Sequence, residues 1–201
     1  MNRREALGVL ATLPLAAAFE PAPGSAAHEI LAAREAVAAE TAAGAAYELK
    51  FFSPHEWETV RVLVDLIIPR DERSGSATDA QVPEWMDFFI DAYPSLRLPI
   101  RGGLAWLDAE ARSRLGSSFL ETSAEVRTAI LDDIAWPARA RPEMSQGVAF
   151  FNRFRDLTAS GFWSTRIGVD DLQYMGNRGM MSWEGCPPEA LAKLGVSYDE
   201  A

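Results

Sequence analysis

The chain has 201 residues, a hydrophobic share of 48%, six Trp and ten Phe, a composition that describes a packed globular body and argues against a disordered one. A formal net charge of −10 repels phosphate backbones, so nucleic acid is not an expected partner. One cysteine and two histidines, His28 and His55, leave no room for an internal disulfide, a CxxC redox pair or a c-type haem attachment, and they argue against a structural zinc centre.

The chain opens with Arg3 and Arg4 ahead of an uncharged run from Ala6 to Phe19, and small residues follow. A charged start, a short apolar stretch and small residues are the layout of an export signal, and the paired arginines suggest a twin-arginine address. The pair lacks the usual Ser or Thr before it and the Phe after it, so an ordinary Sec signal stays open. The apolar run of about 14 residues is interrupted by Pro14 and falls short of the roughly 20 needed to span a bilayer, so a membrane anchor is not expected. Cleavage is expected after Ala18 or in the stretch ending at Ala27. Removing residues 1–27 takes away Arg3, Arg4, Glu5 and Glu20, two charges of each sign, so the net charge is unchanged. The expected organisation is a signal over 1–27, an Ala-rich linker or helix over 28–50, and a helical domain over 51–201, large enough for one core.

Ser53, Pro54 and Glu56 form a strong helix start, with Ser as N-cap, Pro at the first helical position and Glu three residues after the cap. Trp57, Val60, Val64 and Ile67 then mark one apolar face of a helix that Pro69 ends. Asp71 to Gln81 reads as a polar loop. Pro83 opens a second helix carrying Trp85, Met86, Phe88, Phe89 and Ile90. A third is expected from about Pro99 to Leu115. A capping box at Thr122 to Glu125 starts a fourth, stopped by Pro137, and a fifth runs from Pro142 through Phe151, Phe154 and Leu157 to near Gly161. From Phe162 no helical period persists, until a short helix from Pro188 to Leu194 that Gly195 closes. No strand pattern or repeat occurs. The expected fold class is all-α, a compact bundle of about five helices with an irregular aromatic and Gly-rich C-terminal arm.

The chemistry-bearing residues are sparse. No Gly-x-Gly-x-x-Gly fingerprint, Gly-x-Ser-x-Gly elbow or P-loop occurs. Asp132 and Asp133 are neighbours on a helix and point about 100° apart, so they read as a solvated face or local caps. The Asp71–Asp79 loop has oxygen ligands but lacks the spacing and terminal Glu of an EF-hand. His55, in the first turn of its helix, reads as a surface or packing residue more than a base. No catalytic, cofactor-binding or metal-binding residue is therefore expected. The arm is different. Phe162, Trp163, Tyr174, Met175, Met180, Met181 and Trp183 are large apolar groups on irregular backbone, the composition of a protein–protein interface. Cys186, stiffened by Pro187 and Pro188, reads equally as a buried small hydrophobe or, in an exported chain, as an intermolecular disulfide partner.

In order along the chain, Phe51 to Trp57, Leu66 to Asp79, Arg101 to Asp108, Phe150 to Thr158, Gly161 to Trp163 and Tyr174 to Asn177 resemble the gluconate 2-dehydrogenase subunit 3 family. The resemblance implies an accessory small subunit that binds no cofactor of its own, paired as a heterodimer with a large FAD-dependent subunit of the glucose–methanol–choline oxidoreductase type. In such complexes a cytochrome c subunit carrying haem c often passes electrons onward, and substrates are sugars, glycosides or aldonic acids. It also implies that Arg3 and Arg4 serve as the export address for a flavoprotein that lacks one, and that Cys186 and the surrounding arm contact that subunit, with a disulfide at Cys186 as a candidate. The resulting expectation is a non-catalytic escort and stabilising subunit in the bacterial periplasm, meeting the inner membrane only indirectly. Two alternatives stay open: a subunit contributing to the dehydrogenase active-site entrance, and an independent periplasmic binding protein.

Overall fold

The computed structural model describes residues 26–42, 47–174, 176 and 185–198. Among these, the elements are helical throughout: α1 Ala26–Ala42, α2 Pro54–Ile67, α3 Val82–Ala92, α4 Pro94–Leu115, α5 Ala124–Ala135, α6 Ser145–Trp163, α7 Arg166–Asp171 and α8 Pro188–Leu194, with short 3-10 turns at Phe119–Glu121 and Pro142–Met144. The class is all-α, with eight α-helices where about five were expected. The five expected in the body are α2 to α6; α8 is the short helix expected from Pro188 to Leu194, α1 falls where a linker or a helix was expected, and α7 is additional.

Local signals explain most starts. Ser53 accepts from the Glu56 N–H at 3.3 Å and the Glu56 carboxylate accepts from the Ser53 N–H at 2.8 Å, completing the capping box of α2. Helix α4 begins at Pro94, five residues before the expected Pro99, because Pro94 occupies the first turn; Pro99 sits inside and removes one helical N–H. Helix α5 is capped by Ser123, which accepts from Val126 N–H at 3.4 Å, so the cap lies one residue later than Thr122. A capping box does form nearby, between Ser118 and Glu121, on the 3-10 turn.

The core is carried by α6, which packs against α2, α3, α4, α5 and α7. Phe150, Phe154 and Phe162 of α6 are buried with Leu63 and Val64 of α2, Trp85, Met86 and Ile90 of α3, Ile100 and Leu107 of α4, and Ile130 and Ile134 of α5. Each such side chain contributes about 1.5–3 kcal/mol on leaving water. Two helices approach closely where residues exchange bulk: the Phe150 ring fills the space a side chain at Gly103 would need, and the Trp106 ring does the same at Gly147. Helices α4 and α6 therefore cross with each glycine under the other helix's aromatic.

Helix α1 resolves the choice between linker and helix. Ala33 and Val37 are buried, and with Ile30 and Arg34 they recur at i, i+3, i+4 and i+7, so a narrow stripe faces the body. It packs on α3, where the Trp85 indole N–H donates to the Ile30 carbonyl at 3.2 Å.

Candidate functional site

Two ionic joints fix the frame on which the expected interface residues sit. Asp87 is fully buried in α3, in the middle of an otherwise apolar run. Its carboxylate accepts from the Tyr47 hydroxyl at 3.0 Å and from the backbone N–H groups of Lys50, Phe51 and Phe52 at 2.7, 3.0 and 2.8 Å. The extended segment before α2 is thereby tied to α3 through one buried N–H group, that of Phe52, and three part-buried donors.

Arg34 is the second joint. Its guanidinium donates to the Ala80 and Gln81 carbonyls at 3.1 and 3.2 Å, to Ser164 Oγ at 3.1 Å and to the Gly161 carbonyl, and it lies 5.5 Å from the Trp85 ring. Gln81 has φ 54°, in the left-handed region that non-glycine residues seldom use, and this turn brings two successive carbonyls to one guanidinium. Burial lowers the Arg34 pKa to about 10, with Glu84 opposing. Burial likewise raises the Glu84 carboxyl above its ordinary value, and Glu84 Oε2 has no hydrogen-bond partner among the described residues.

The Asp71–Gln81 loop is organised by its own carboxylates. Asp71 accepts from the N–H groups of Arg73 and Ser74, both at 2.8 Å, and Asp79 accepts from Ser76 N–H at 2.6 Å and pairs with Arg70 at 2.6 Å. Hydrogen bonds from Ser74 and Arg73 hold the Asp71 pKa down, and one from Ser76 does the same for Asp79. These oxygens serve backbone donors, and among the described residues no group of three or more His, Cys, Asp or Glu is placed to hold a metal ion. His55 Nε2 lies 2.7 Å from Asp108, which also accepts from Phe119 N–H at 3.0 Å and pairs with Arg112 at 3.2 Å, so His55 clasps α2 to α4. Asp133 pairs with Arg114 at 2.8 Å and Asp132 is exposed, as a solvated helix face requires.

The expected interface begins where α6 ends. Helix α6 continues through Gly161 to Trp163, and α7 follows after Ser164 and Thr165, so the arm is helical over part of the stretch expected to be irregular. Thr165 caps α7 by accepting from Gly168 N–H at 3.1 Å and donates to the Phe162 carbonyl at 2.6 Å. A side chain at residue 168 would collide with that same carbonyl, so only glycine lets α7 fold back on the end of α6. Arg73 ties the far end of α7 to the loop by donating to the Asp171 carbonyl at 2.6 Å.

This fold-back sorts the expected residues. Phe162 is fully buried, so the expectation of a partner contact there is corrected: it packs in the chain's own core, edge-on to Trp163 with centroids 5.6 Å apart. Trp163 and Tyr174 are exposed, at 39% and 59%, and so is Leu172. Cys186 is a free, exposed thiol, which sets aside the buried reading; its N–H donates to the Tyr198 hydroxyl at 2.7 Å. Arg3, Arg4, Met175, Met180, Met181 and Trp183 lie outside the described residues. Sequence reasoning missed both joints. Asp87 had a signal, a lone carboxylate among Trp85, Met86, Phe88 and Phe89; Arg34, in an Ala-rich helix, had none.

The geometry defines a class first: an all-α body whose buried charges tie its own segments together, with large apolar groups left outward at helix ends. Among the described residues no helix is long and apolar enough to cross a membrane. The chain belongs to the gluconate 2-dehydrogenase subunit 3 family, whose model matches residues 54–182, from the first residue of α2 into the arm. Membership implies a small subunit of a dehydrogenase complex. Neither a curated protein nor a solved structure matches the chain.

Proposed function

We propose that the chain is an accessory subunit that binds and stabilises a large FAD-dependent dehydrogenase subunit of the glucose–methanol–choline type and carries it to the bacterial periplasm. In this reading FAD belongs to that subunit, haem c to a third, and the complex oxidises a sugar, glycoside or aldonic acid. The observation that carries it is the family match over residues 54–182. The export role rests on Arg3 and Arg4 ahead of an apolar run, with residues 1–27 as a removable signal.

The contact surface in this reading includes Trp163 and Tyr174, which stand exposed at the ends of α6 and α7, and Cys186, whose exposed thiol suits a disulfide to the flavoprotein. The test is to produce the flavoprotein subunit with and without this chain, in its native host background. Without the chain, or with Arg3 and Arg4 both changed to Lys, the flavoprotein should be retained in the cytoplasm and recovered poorly folded. Export of a fully active flavoprotein in the absence of this chain would sink the reading.

A further inference from the structure

The surface arginines of this chain are mostly engaged. Arg70, Arg73, Arg97, Arg101, Arg112 and Arg114 each hold a carboxylate. The connection from α5 to α6 departs from that pattern. Arg139 and Arg141 are exposed, and neither makes an ion pair or a side-chain hydrogen bond among the described residues. Arg139 instead lies over the Trp136 ring at 5.1 Å, and Trp136 itself is 57% exposed. The connection is set by local geometry: Trp136 accepts from the N–H groups of Arg139 and Ala140 at 2.9 and 3.0 Å, and Pro137 and Pro142 bound it.

Trp136 also forms one wall of an apolar groove of about 320 Å³. Leu66 and Ile67 of α2, Leu131 and Ala135 of α5 and Phe151 of α6 give it its apolar lining, and Thr128, Asp132 and Arg155 complete it. A second, polar depression lined by Arg139 and Arg141 shares Trp136 and Asp132 with the groove. Apolar groove and free cations are thus continuous. Asp132, at their boundary, repels a carboxylate placed over it. An occupant must direct its acidic residue to the arginines and its apolar residue into the groove.

We propose that the groove and the two arginines form one docking site for a protein segment in which a carboxylate stands near an aliphatic or aromatic side chain, carried by the flavoprotein subunit. The partner identity rests on the accessory-subunit reading above. Charge argues for the occupant: in a chain of net charge −10, two guanidiniums without ion pairs among the described residues, on one short connection, offer bidentate N–H donors to a carboxylate. Trp and Arg beside a pocket are also the residue types that dominate binding energy at protein interfaces. An anionic bilayer would meet Asp132 and Asp133 on the same face, which disfavours it.

The test uses the complex purified after co-production with the flavoprotein subunit, with W136A and with the double variant R139E/R141E. Each should weaken the dissociation constant roughly tenfold or more, without moving the unfolding midpoint of the chain. Added salt should weaken the wild-type complex and should not weaken that of the double variant, whose reversed charges repel the carboxylate until salt screens them. Affinities of both variants within about twofold of wild type overturn the docking site and leave the accessory reading standing. No complex with the wild-type chain overturns both. Wild-type binding to phosphatidylcholine–phosphatidylglycerol vesicles, lost in R139E/R141E while flavoprotein affinity is kept, also overturns the proposal and assigns the face to a membrane.

Discussion

Asp87 collects the Tyr47 hydroxyl and three backbone N–H groups, and Arg34 holds three carbonyls and a serine hydroxyl, whereas Arg139 and Arg141 hold no carboxylate or carbonyl among the described residues and Trp136 stands largely exposed under Arg139. Both regions are built from charge next to aromatic rings. In the first, burial leaves each charge one set of partners, all within the chain, and the result is a joint. In the second, solvent satisfies the cations and they stay available. Charge beside an aromatic is therefore not itself a sign of function; whether the chain has already consumed its hydrogen bonds is what separates the two.

The largest expected effect breaks the first region. Asp87→Ala leaves three backbone N–H groups without their acceptor, at about 1–3 kcal/mol each, so a loss of about 3 kcal/mol or more is expected. Thermal unfolding should show a midpoint lower by roughly 6 °C or more. Asp87→Asn keeps one accepting oxygen and should lose less. An unchanged midpoint for Asp87→Ala would remove the joint from the account.

A smaller effect comes from Glu84. Burial raises its folded-state pKa above the ordinary 4.5, so its contribution to stability is present below that value and is lost as pH rises through the folded pKa. Glu84→Gln should therefore gain stability relative to wild type at pH 7, and the gain should vanish below the ordinary carboxylate value. Denaturant unfolding across that range reads it, and a gain that persists in acid would contradict the cause given. The smallest effect belongs to the second region: R139E/R141E, on exposed side chains that make no ion pair among the described residues, should change stability by no more than about 0.5 kcal/mol.

Much of this was legible in the sequence, for local reasons. The start of α2 rests on Ser53, Pro54 and Glu56, all within one turn, and its end on Pro69; the helix runs from Pro54 to Ile67. Where two local signals compete, the reading slips: Pro99 looks like a start because Pro94 already provides one five residues earlier, and Thr122 looks like a cap because Ser123 beside it carries the same chemistry. Helix α1 was half-legible. Its stripe of Ile30, Ala33, Arg34 and Val37 is too small and too polar to stand out until Trp85 and the Gln81 turn are placed against it. Phe162 was misread because the helix Ser145–Trp163 runs on past Gly161 and carries it into the core, a continuation that the glycine-rich composition does not encode. The groove was not legible at all, because Leu66, Leu131 and Phe151 come from three helices that meet only in the fold.

The contrast between an engaged joint and an open face is tested most directly by amide hydrogen exchange on the chain, free and in complex with the flavoprotein subunit. The account predicts that residues 131–141 and the exposed end of the arm around Trp163 to Tyr174 gain protection on binding, while residues 50–52 are already protected in the free chain and do not change. Protection gained at residues 50–52 with none at 131–141 would contradict it.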